Sequence, residues 1–213
     1  VGEPSGWEGI TVGYRGSALI RITSSVQGIH PSVDEESSAH RVFEVYGEMR
    51  RIVEGFERGD GPFSSPNLRL LRVNTREDGM GDLTSAELNL RIPPSMPFEA
   101  FWLGVLEASR RSSALAELLD FSPPVVHDRN SFLAKTLRTC IRERGGRPRM
   151  LLKGGTSDMN VLSTGWRCPM VAYGPGDSSL DHTPQERISL EEYLRSIEVL
   201  RAFLEAIQGG ENP

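Results

Sequence analysis

The run Ala86-Glu87-Leu88-Asn89-Leu90-Arg91-Ile92 alternates apolar and polar residues without a break. Side chains of a β-strand point to opposite faces in turn, so this run fixes a half-buried strand with one apolar and one polar side. A turn around Gly79-Met80-Gly81-Asp82 precedes it, and Pro93, Pro94 and Pro97 stop it. Its neighbours order themselves around it. Ala18 to Ser24 sets Ile20 and Ile22 against Arg21 and Thr23, a second half-buried strand ended by Gly28 and Pro31. Between Ser37 and Phe56, Ala39, Val42, Phe43, Tyr46, Met49, Val53 and Phe56 follow the three-and-four spacing of an amphipathic helix. Gly59 to Pro66 reads as a loop, Leu68 to Asn74 as a strand, and Phe98, Phe101, Trp102, Val105 and Leu106 as one helical face. Ala114 to Phe121 is a last strand. The order is β-α-β-β-α-β, the split arrangement in which two helices cover one face of an antiparallel sheet and the other face stays open.

The pattern changes after Pro123-Pro124. Asp128 is placed to cap a helix that buries Phe132, Leu133, Leu137, Cys140 and Ile141 and ends at Gly145-Gly146. Met150 to Leu152 and Met170 to Tyr173 read as short buried strands running into glycine loops, the setting in which α/β sheets usually place ligands. Ser189-Leu190-Glu191-Glu192 is a capping box opening a final helix, with Tyr193, Leu194, Ile197, Leu200, Leu204 and Ile207 as its apolar face.

Composition narrows the chemistry. A net charge of -5 speaks against a general nucleic-acid binder. No apolar run approaches the ~20 residues of a membrane span, and no signal pattern opens the chain, so a cytoplasmic protein is expected. Cys140 and Cys168 form no CxxC pair, and reduced thiols are expected. Lysine occurs only at Lys135 and Lys153. The chemistry-bearing residues concentrate late, in Lys153-Gly154-Gly155-Thr156-Ser157-Asp158, Gly174-Pro175-Gly176-Asp177 and Asp181-His182-Thr183-Pro184-Gln185-Glu186-Arg187. One histidine between acidic residues on a Gly/Pro-fixed loop presents itself as a metal ligand or catalytic imidazole does. One histidine does not make a site.

These motifs stand in a telling order. Gly2-Glu3-Pro4-Ser5, Gly13-Tyr14-Arg15-Gly16, Gly28-Ile29-His30-Pro31-Ser32, the Glu87-to-Arg91 strand, Gly154-Gly155-Thr156-Ser157-Asp158 and the Gly174-to-Glu186 run follow one another at characteristic spacing. In this the chain resembles the zinc-dependent amidohydrolases that include acetylornithine deacetylase, succinyl-diaminopimelate desuccinylase, aminoacylase and related carboxypeptidases. The Gly-Gly-Thr-Ser-Asp-Met-Asn and Asp-His-Thr-Pro wording looks most like the branch that releases lysine or ornithine from an acidic amino-group carrier protein. The resemblance implies the C-terminal part of a zinc-peptidase-like α/β catalytic domain, with an inserted ferredoxin-like lid and dimerisation domain. Its segments would be a catalytic remnant over 1–12, the lid over 13–122 and the catalytic return over 123–213. The His-x-Asp motif, bridging aspartate and Glu-Glu pair of the family match nothing here, so the chain is expected to lack an upstream metal-binding half and to be inactive alone.

The resemblance also implies roles. Glu3 would be a carboxylate ligand to one zinc and His182 an imidazole ligand to the other, with two zinc ions per complete site and cobalt able to replace them. The plain readings are a solvated charge for Glu3 and a loop histidine held by Asp181 for His182. His30 would reach the active site of a second subunit and hydrogen-bond the oxyanion, or be an ordinary turn imidazole. Arg91 would clamp a substrate carboxylate through its guanidinium fork, or belong to a solvated sheet face. Gly155, Thr156 and Ser157 would offer N–H groups to a substrate carboxylate, or simply cap a helix. His40 and His127 match no functional position. The expected partners are a second copy through the lid and either a small amino-acid conjugate or the carrier, steered by a basic cluster of Lys135, Arg138, Arg142, Arg144, Arg147 and Arg149. Deacetylation of acetylornithine or another N-acyl amino acid, dipeptide cleavage, and a non-catalytic dimerising module are the alternatives.

Overall fold

The computed structural model describes residues 1–27, 36–56, 59–77 and 79–209. They form two compact units, one made of Val1–Tyr14 and Pro124–Pro213 and the other of Arg15–Pro123.

The continuous unit contains strand β2 (Gly16–Gln27), helix α1 (Ser38–Glu54), strands β3 (Asn67–Glu77) and β4 (Gly81–Ile92), helix α2 (Phe98–Arg111) and strand β5 (Leu115–Ser122); β1 belongs to the other unit. Its antiparallel sheet has the order β3-β4-β2-β5. The central pair is long and in register from Gly16↔Ile92 to Gln27↔Gly81. That register turns the apolar sides of both strands the same way: Ala18, Ile20 and Ile22 lie with Ala86, Leu88, Leu90 and Ile92, all essentially inaccessible. Val42, Val45, Met49 and Val53 of α1 and Phe98, Phe101, Val105 and Ala108 of α2 close this core. Gly104 of α2 lies against α1, where a Cβ would come within 2.8 Å of Ile52 Cδ1. Ser37 caps α1 by accepting from the His40 N–H at 3.2 Å. The buried hydroxyls of Ser38 and Thr84 share a hydrogen bond of 2.7 Å.

The discontinuous unit is built on β1 (Gly9–Tyr14), the middle of a three-stranded sheet of order β6-β1-β7, with β6 (Val125–Val126) antiparallel and β7 (Arg149–Lys153) parallel to it. All six residues of β1 are buried. Helices α3 (Phe132–Glu143) and α5 (Leu190–Gly209) pack through Leu137, Cys140, Ile141, Val199 and Phe203 against Ile10, Val12 and Tyr173. Helix α4 (Asp158–Gly165) buries Met159 beside Tyr14, Val125, Met170 and Ala172. Among the described residues no helix is long and apolar enough to cross a membrane.

Three local expectations change. The cap of α3 is Ser131, which accepts from Ala134 N–H; Asp128 instead accepts from Asn130 N–H in the preceding turn, and Phe132 is exposed. The 170–173 segment joins the sheet only through isolated bridges, Thr11↔Ala172 and Gly2↔Tyr173. The buried residues of α5 are Ser196, Val199 and Phe203, while Tyr193, Leu194, Ile197, Leu200 and Leu204 face outward.

Candidate functional site

The N-terminal stretch and the Gly174 loop lie against each other, and this contact builds the site. Glu3 N–H donates to Tyr173 O at 3.4 Å, Ser5 N–H to Gly174 O at 3.0 Å and Gly6 N–H to Gly176 O at 2.8 Å. Gly174 has to be glycine for this approach: a Cβ there would lie 2.8 Å from the Glu3 carbonyl oxygen. Gly176 takes a left-handed backbone, φ 95°, that a side chain would strain. The Glu3 turn is thereby fixed by residues about 170 positions away in the chain.

Glu3 stands in a crowd of charge. Burial pushes its carboxyl above the ordinary value, Asp158 and Asp181 push it further, and Lys153 and the N-terminal ammonium pull it back. Lys153 ends β7 and donates from Nζ to the Pro4 carbonyl. Its own pKa is lowered by burial, against the opposing pull of Asp181, Glu3 and Asp177. The Tyr14 hydroxyl faces the same group. Burial and the Glu3 charge push it up to about 12, with Thr11 and Ser157 as polar neighbours, and no hydrogen bond of ordinary geometry holds it. Glu3, Asp158 and Asp181 thus influence one another electrostatically without drawing together into a compact ligand group among the described residues. Carboxylate oxygens are the donor type that divalent metals take, but zinc needs three or four protein ligands converging on one point, which these three do not do here.

His182 is the next residue after Asp181 and is exposed. Its backbone is left-handed, φ 61°, in a loop tied by Leu180 N–H to Asp177 O at 3.0 Å, Thr183 N–H to Leu180 O at 3.1 Å and His182 N–H to the Glu186 carboxylate at 2.9 Å. A strained, non-glycine conformation held by this many bonds marks a side chain whose direction matters. Glu3, Asp181 and His182 do not form a three-ligand cluster. Among the described residues the one group of three potential ligand atoms within 4.8 Å of one another is Glu36, His40 and Glu44, all exposed in the other unit. There His40 Nε2 lies 3.9 Å from Glu36 and 3.6 Å from Glu44, the pairing that a four-residue spacing produces along a helix.

Ser157 is the N-cap of α4 in a complete capping box: its Oγ accepts from Met159 N–H at 3.2 Å and its own N–H donates to Asn160 Oδ1 at 2.8 Å. The Ser157 N–H expected for a substrate is thus committed to the cap, whereas Gly155 and Thr156 are exposed. Arg91 lies on the open sheet face of the Arg15–Pro123 unit, opposite Ser17 and Asn67. Its neighbours on that face are already satisfied: Arg21 pairs with Glu87 at 2.9 Å and Asn89 donates to Ser17 Oγ at 2.8 Å. Arg91 forms no ion pair among the described residues. It faces another cation, because Arg15, which donates to the Ser65 carbonyl at 2.8 Å, has its pKa lowered by burial and then by Arg91. His30 lies outside the described residues. The sequence placed Lys153 in a chemistry-bearing run and Tyr14 in a family motif but gave neither a role; the strand pairing Tyr14↔Lys153 brings them to one end of the sheet.

The chain is similar to proteins of known family and fold. The chain is 36% identical over 215 residues to the LysW-lysine hydrolase of Deinococcus radiodurans, covering 99% of this chain and 59% of that protein. It is 27% identical over 209 residues to the LysW-lysine/LysW-ornithine hydrolase of Saccharolobus solfataricus, covering 97% and 58%. It therefore spans a little under three fifths of the length of these relatives. The fold matches that of the M20 family metallo-carboxypeptidase Sso-CP2 from Sulfolobus solfataricus with a TM-score of 0.66 at 17% identity, over 92% of this chain and 59% of the other. The model of the peptidase family M20/M25/M40 matches residues 1–206, and the chain belongs to that family.

Proposed function

We propose that this chain forms part of a metal-dependent hydrolase of a linear amide, which releases lysine or ornithine from a carrier-linked or N-acyl precursor. The observation that carries the reading is the packing of the Glu3 turn on Gly174–Gly176, which gathers Glu3, Lys153, Asp158 and Asp181 at one end of the sheet. The proposed substrate class is supported by the 36% identity to a LysW-lysine hydrolase over nearly the whole chain.

Glu3 and His182 are the donors this chain offers to a pair of zinc ions, with Asp181 beside His182 as its orienting carboxylate. When bound, such ions lower the pKa of water and polarise the scissile carbonyl. Lys153 holds the Pro4 carbonyl next to Glu3 and sets a positive charge against that carboxylate. Arg91 and Arg15 offer two adjacent guanidinium groups on one polar face, a match for the carboxylate of an amino-acid product. Gly155 and Thr156 offer exposed N–H groups to the same kind of anion. His30 from a second subunit, in a dimer formed through the Arg15–Pro123 unit, donates to the oxyanion that develops on the attacked carbonyl.

The test is a chimera in which residues 1–209 replace the matched part of the Deinococcus relative. It should release lysine from the carrier conjugate only with added zinc, while the chain alone binds zinc weakly and hydrolyses nothing. A folded, zinc-loaded chimera that cleaves N-acetylornithine or a dipeptide and spares carrier-linked lysine would replace this substrate with the smaller one. Tight stoichiometric zinc and amide turnover by the chain alone would sink the shared-site reading.

A further inference from the structure

Two groups at the Glu3 turn each lack the kind of partner that the other offers. Tyr14 closes β1 and is only 2% exposed, yet its hydroxyl makes no hydrogen bond of ordinary geometry. The Glu3 carboxylate, half-buried, accepts no hydrogen bond and forms no ion pair among the described residues. A buried hydroxyl without an acceptor is costly, and native structures rarely keep one unless something else makes use of it.

The fold ties the two residues together along two routes. In the parallel pairing of β1 with β7, Tyr14 stands opposite Lys153, and Lys153 Nζ donates to the carbonyl of Pro4, the residue after Glu3. Thr11, a polar neighbour of the Tyr14 hydroxyl, shares a hydrogen bond of 3.0 Å with Ser5 Oγ, which in turn donates to the Glu3 carbonyl at 3.3 Å. The other polar neighbour is Ser157, whose Oγ is already taken by the Met159 N–H as a helix cap. Val125, Met159, Met170 and Ala172 pack with the tyrosine in one buried apolar cluster, which fixes the ring. Of the two carboxylates whose charge reaches the hydroxyl, Glu3 acts the more strongly and Asp181 the less.

We propose that Tyr14 is the positioning residue for Glu3: its hydroxyl donates to one oxygen of the Glu3 carboxylate and so directs the other oxygen at a bound divalent metal. The inference rests on the reading of Glu3 as a metal ligand. A ligating carboxylate is itself hydrogen-bonded as a rule, because that bond fixes its orientation, and losing such a partner costs about 10–100-fold in metal affinity. A phenol suits the task in this place. It brings a donor without adding charge, and the ring's packing holds that donor ready before a metal binds. Lys153 acts on a different atom, since its Nζ steadies the backbone of the turn through the Pro4 carbonyl.

Tyr14→Phe removes the hydroxyl and nothing else. In the chain by itself the melting temperature should stay the same or rise, because the deleted group had no partner there. In the chimera carrying residues 1–209, the same substitution should weaken zinc binding about 10–100-fold and shift the visible spectrum of the cobalt-loaded form, a readout of ligand geometry that a merely structural tyrosine would not move. Glu3→Gln in that chimera separates the two claims. If Glu3→Gln weakens zinc binding and Tyr14→Phe leaves both affinity and spectrum unchanged, Glu3 is a ligand that Tyr14 does not position, and the proposal alone is overturned. If Glu3→Gln leaves zinc binding intact, the ligand reading falls and takes the proposal with it. A lower melting temperature for Tyr14→Phe in the chain by itself assigns the hydroxyl to a structural bond and also overturns the proposal.

Discussion

Replacing Gly174 by alanine tests whether the fold of the discontinuous unit and the candidate site share one contact. The new Cβ would lie 2.8 Å from the Glu3 carbonyl oxygen, 3.3 Å from its carbon and 3.5 Å from its nitrogen. A carbon–oxygen contact relaxes near 3.3 Å, so one backbone has to retreat by about 0.5 Å. Neither can do so freely, because Glu3 N–H to Tyr173 O and Ser5 N–H to Gly174 O bracket the contact. Overpacking of this kind costs about 1–3 kcal/mol, and the stiffer unfolded chain returns about 0.4–1 kcal/mol. The net loss is about 1–2 kcal/mol, or roughly 2–8 °C in Tm for a chain of this size. Gly155→Ala is the control, since a Cβ there meets nothing within 4 Å and only the unfolded-state gain applies. Thermal unfolding of the two variants should therefore move in opposite directions. In the chimera, Gly174→Ala should also weaken zinc binding while Gly155→Ala leaves it intact, because only the first displaces Glu3. Identical shifts in Tm and metal affinity would refute the claim that the close approach at Gly174 positions the Glu3 turn.

Two further outcomes follow from the same unit. His127 is half-buried with an unpaired Nε2, and burial holds its pKa below the ordinary 6.5. Because the unfolded state then takes up the proton first, His127 contributes stability above pH 6.5 that is lost as the pH falls through its folded pKa. Urea midpoints measured from pH 7.5 to 5 should fall less steeply for His127→Phe than for the parent, and parallel slopes would dismiss the assignment. The basic cluster is exposed at Lys135, Arg142, Arg147 and Arg149, and none of these side chains forms an ion pair among the described residues. Reversing Arg142 and Arg147 to glutamate in the chimera should slow turnover of the carrier substrate at low salt and spare a small N-acyl amino acid. Equal effects on both substrates would end the docking idea. The fold adds a condition: Arg149 begins β7 and Lys153 ends it, about 13 Å apart, so a carrier seated there has to reach the site along the strand.

What could be read from the sequence follows from how each segment is buried. Strands β2 and β4 were legible because helices cover one face of their sheet and leave the other polar, so the alternation is written in the residues themselves. Strand β1 was not legible. Its six residues, Gly-Ile-Thr-Val-Gly-Tyr, are buried on both faces, carry no alternation and include two glycines, one of which would meet the Val125 carbonyl at 3.0 Å if given a Cβ. The site divides in the same way. Glu3, His182 and the Gly155–Ser157 turn lie in local motifs that sequence displays; the use of the Ser157 N–H by Asn160 is also local, and S-x-x-N could have suggested it. Lys153 and Tyr14 become neighbours of Glu3 only through strand pairing and through hydrogen bonds across some 170 positions, which no window of sequence contains.

Helix α5 carries the argument furthest, because there the periodicity was right and the face was wrong. Periodicity favoured Tyr193, Leu194, Ile197, Leu200, Leu204 and Ile207, yet the buried residues are Ser196, Val199 and Phe203, with only Ile207 of the favoured face packed against that core. Amphipathic reading assumes one apolar face and one partner. A helix between two partners has two, and the sequence ranks them by hydrophobicity and not by which partner is present. In this chain Ser196, Val199 and Phe203 meet α3 and the sheet, where close packing rewards shape, while the Leu- and Ile-rich face stays exposed.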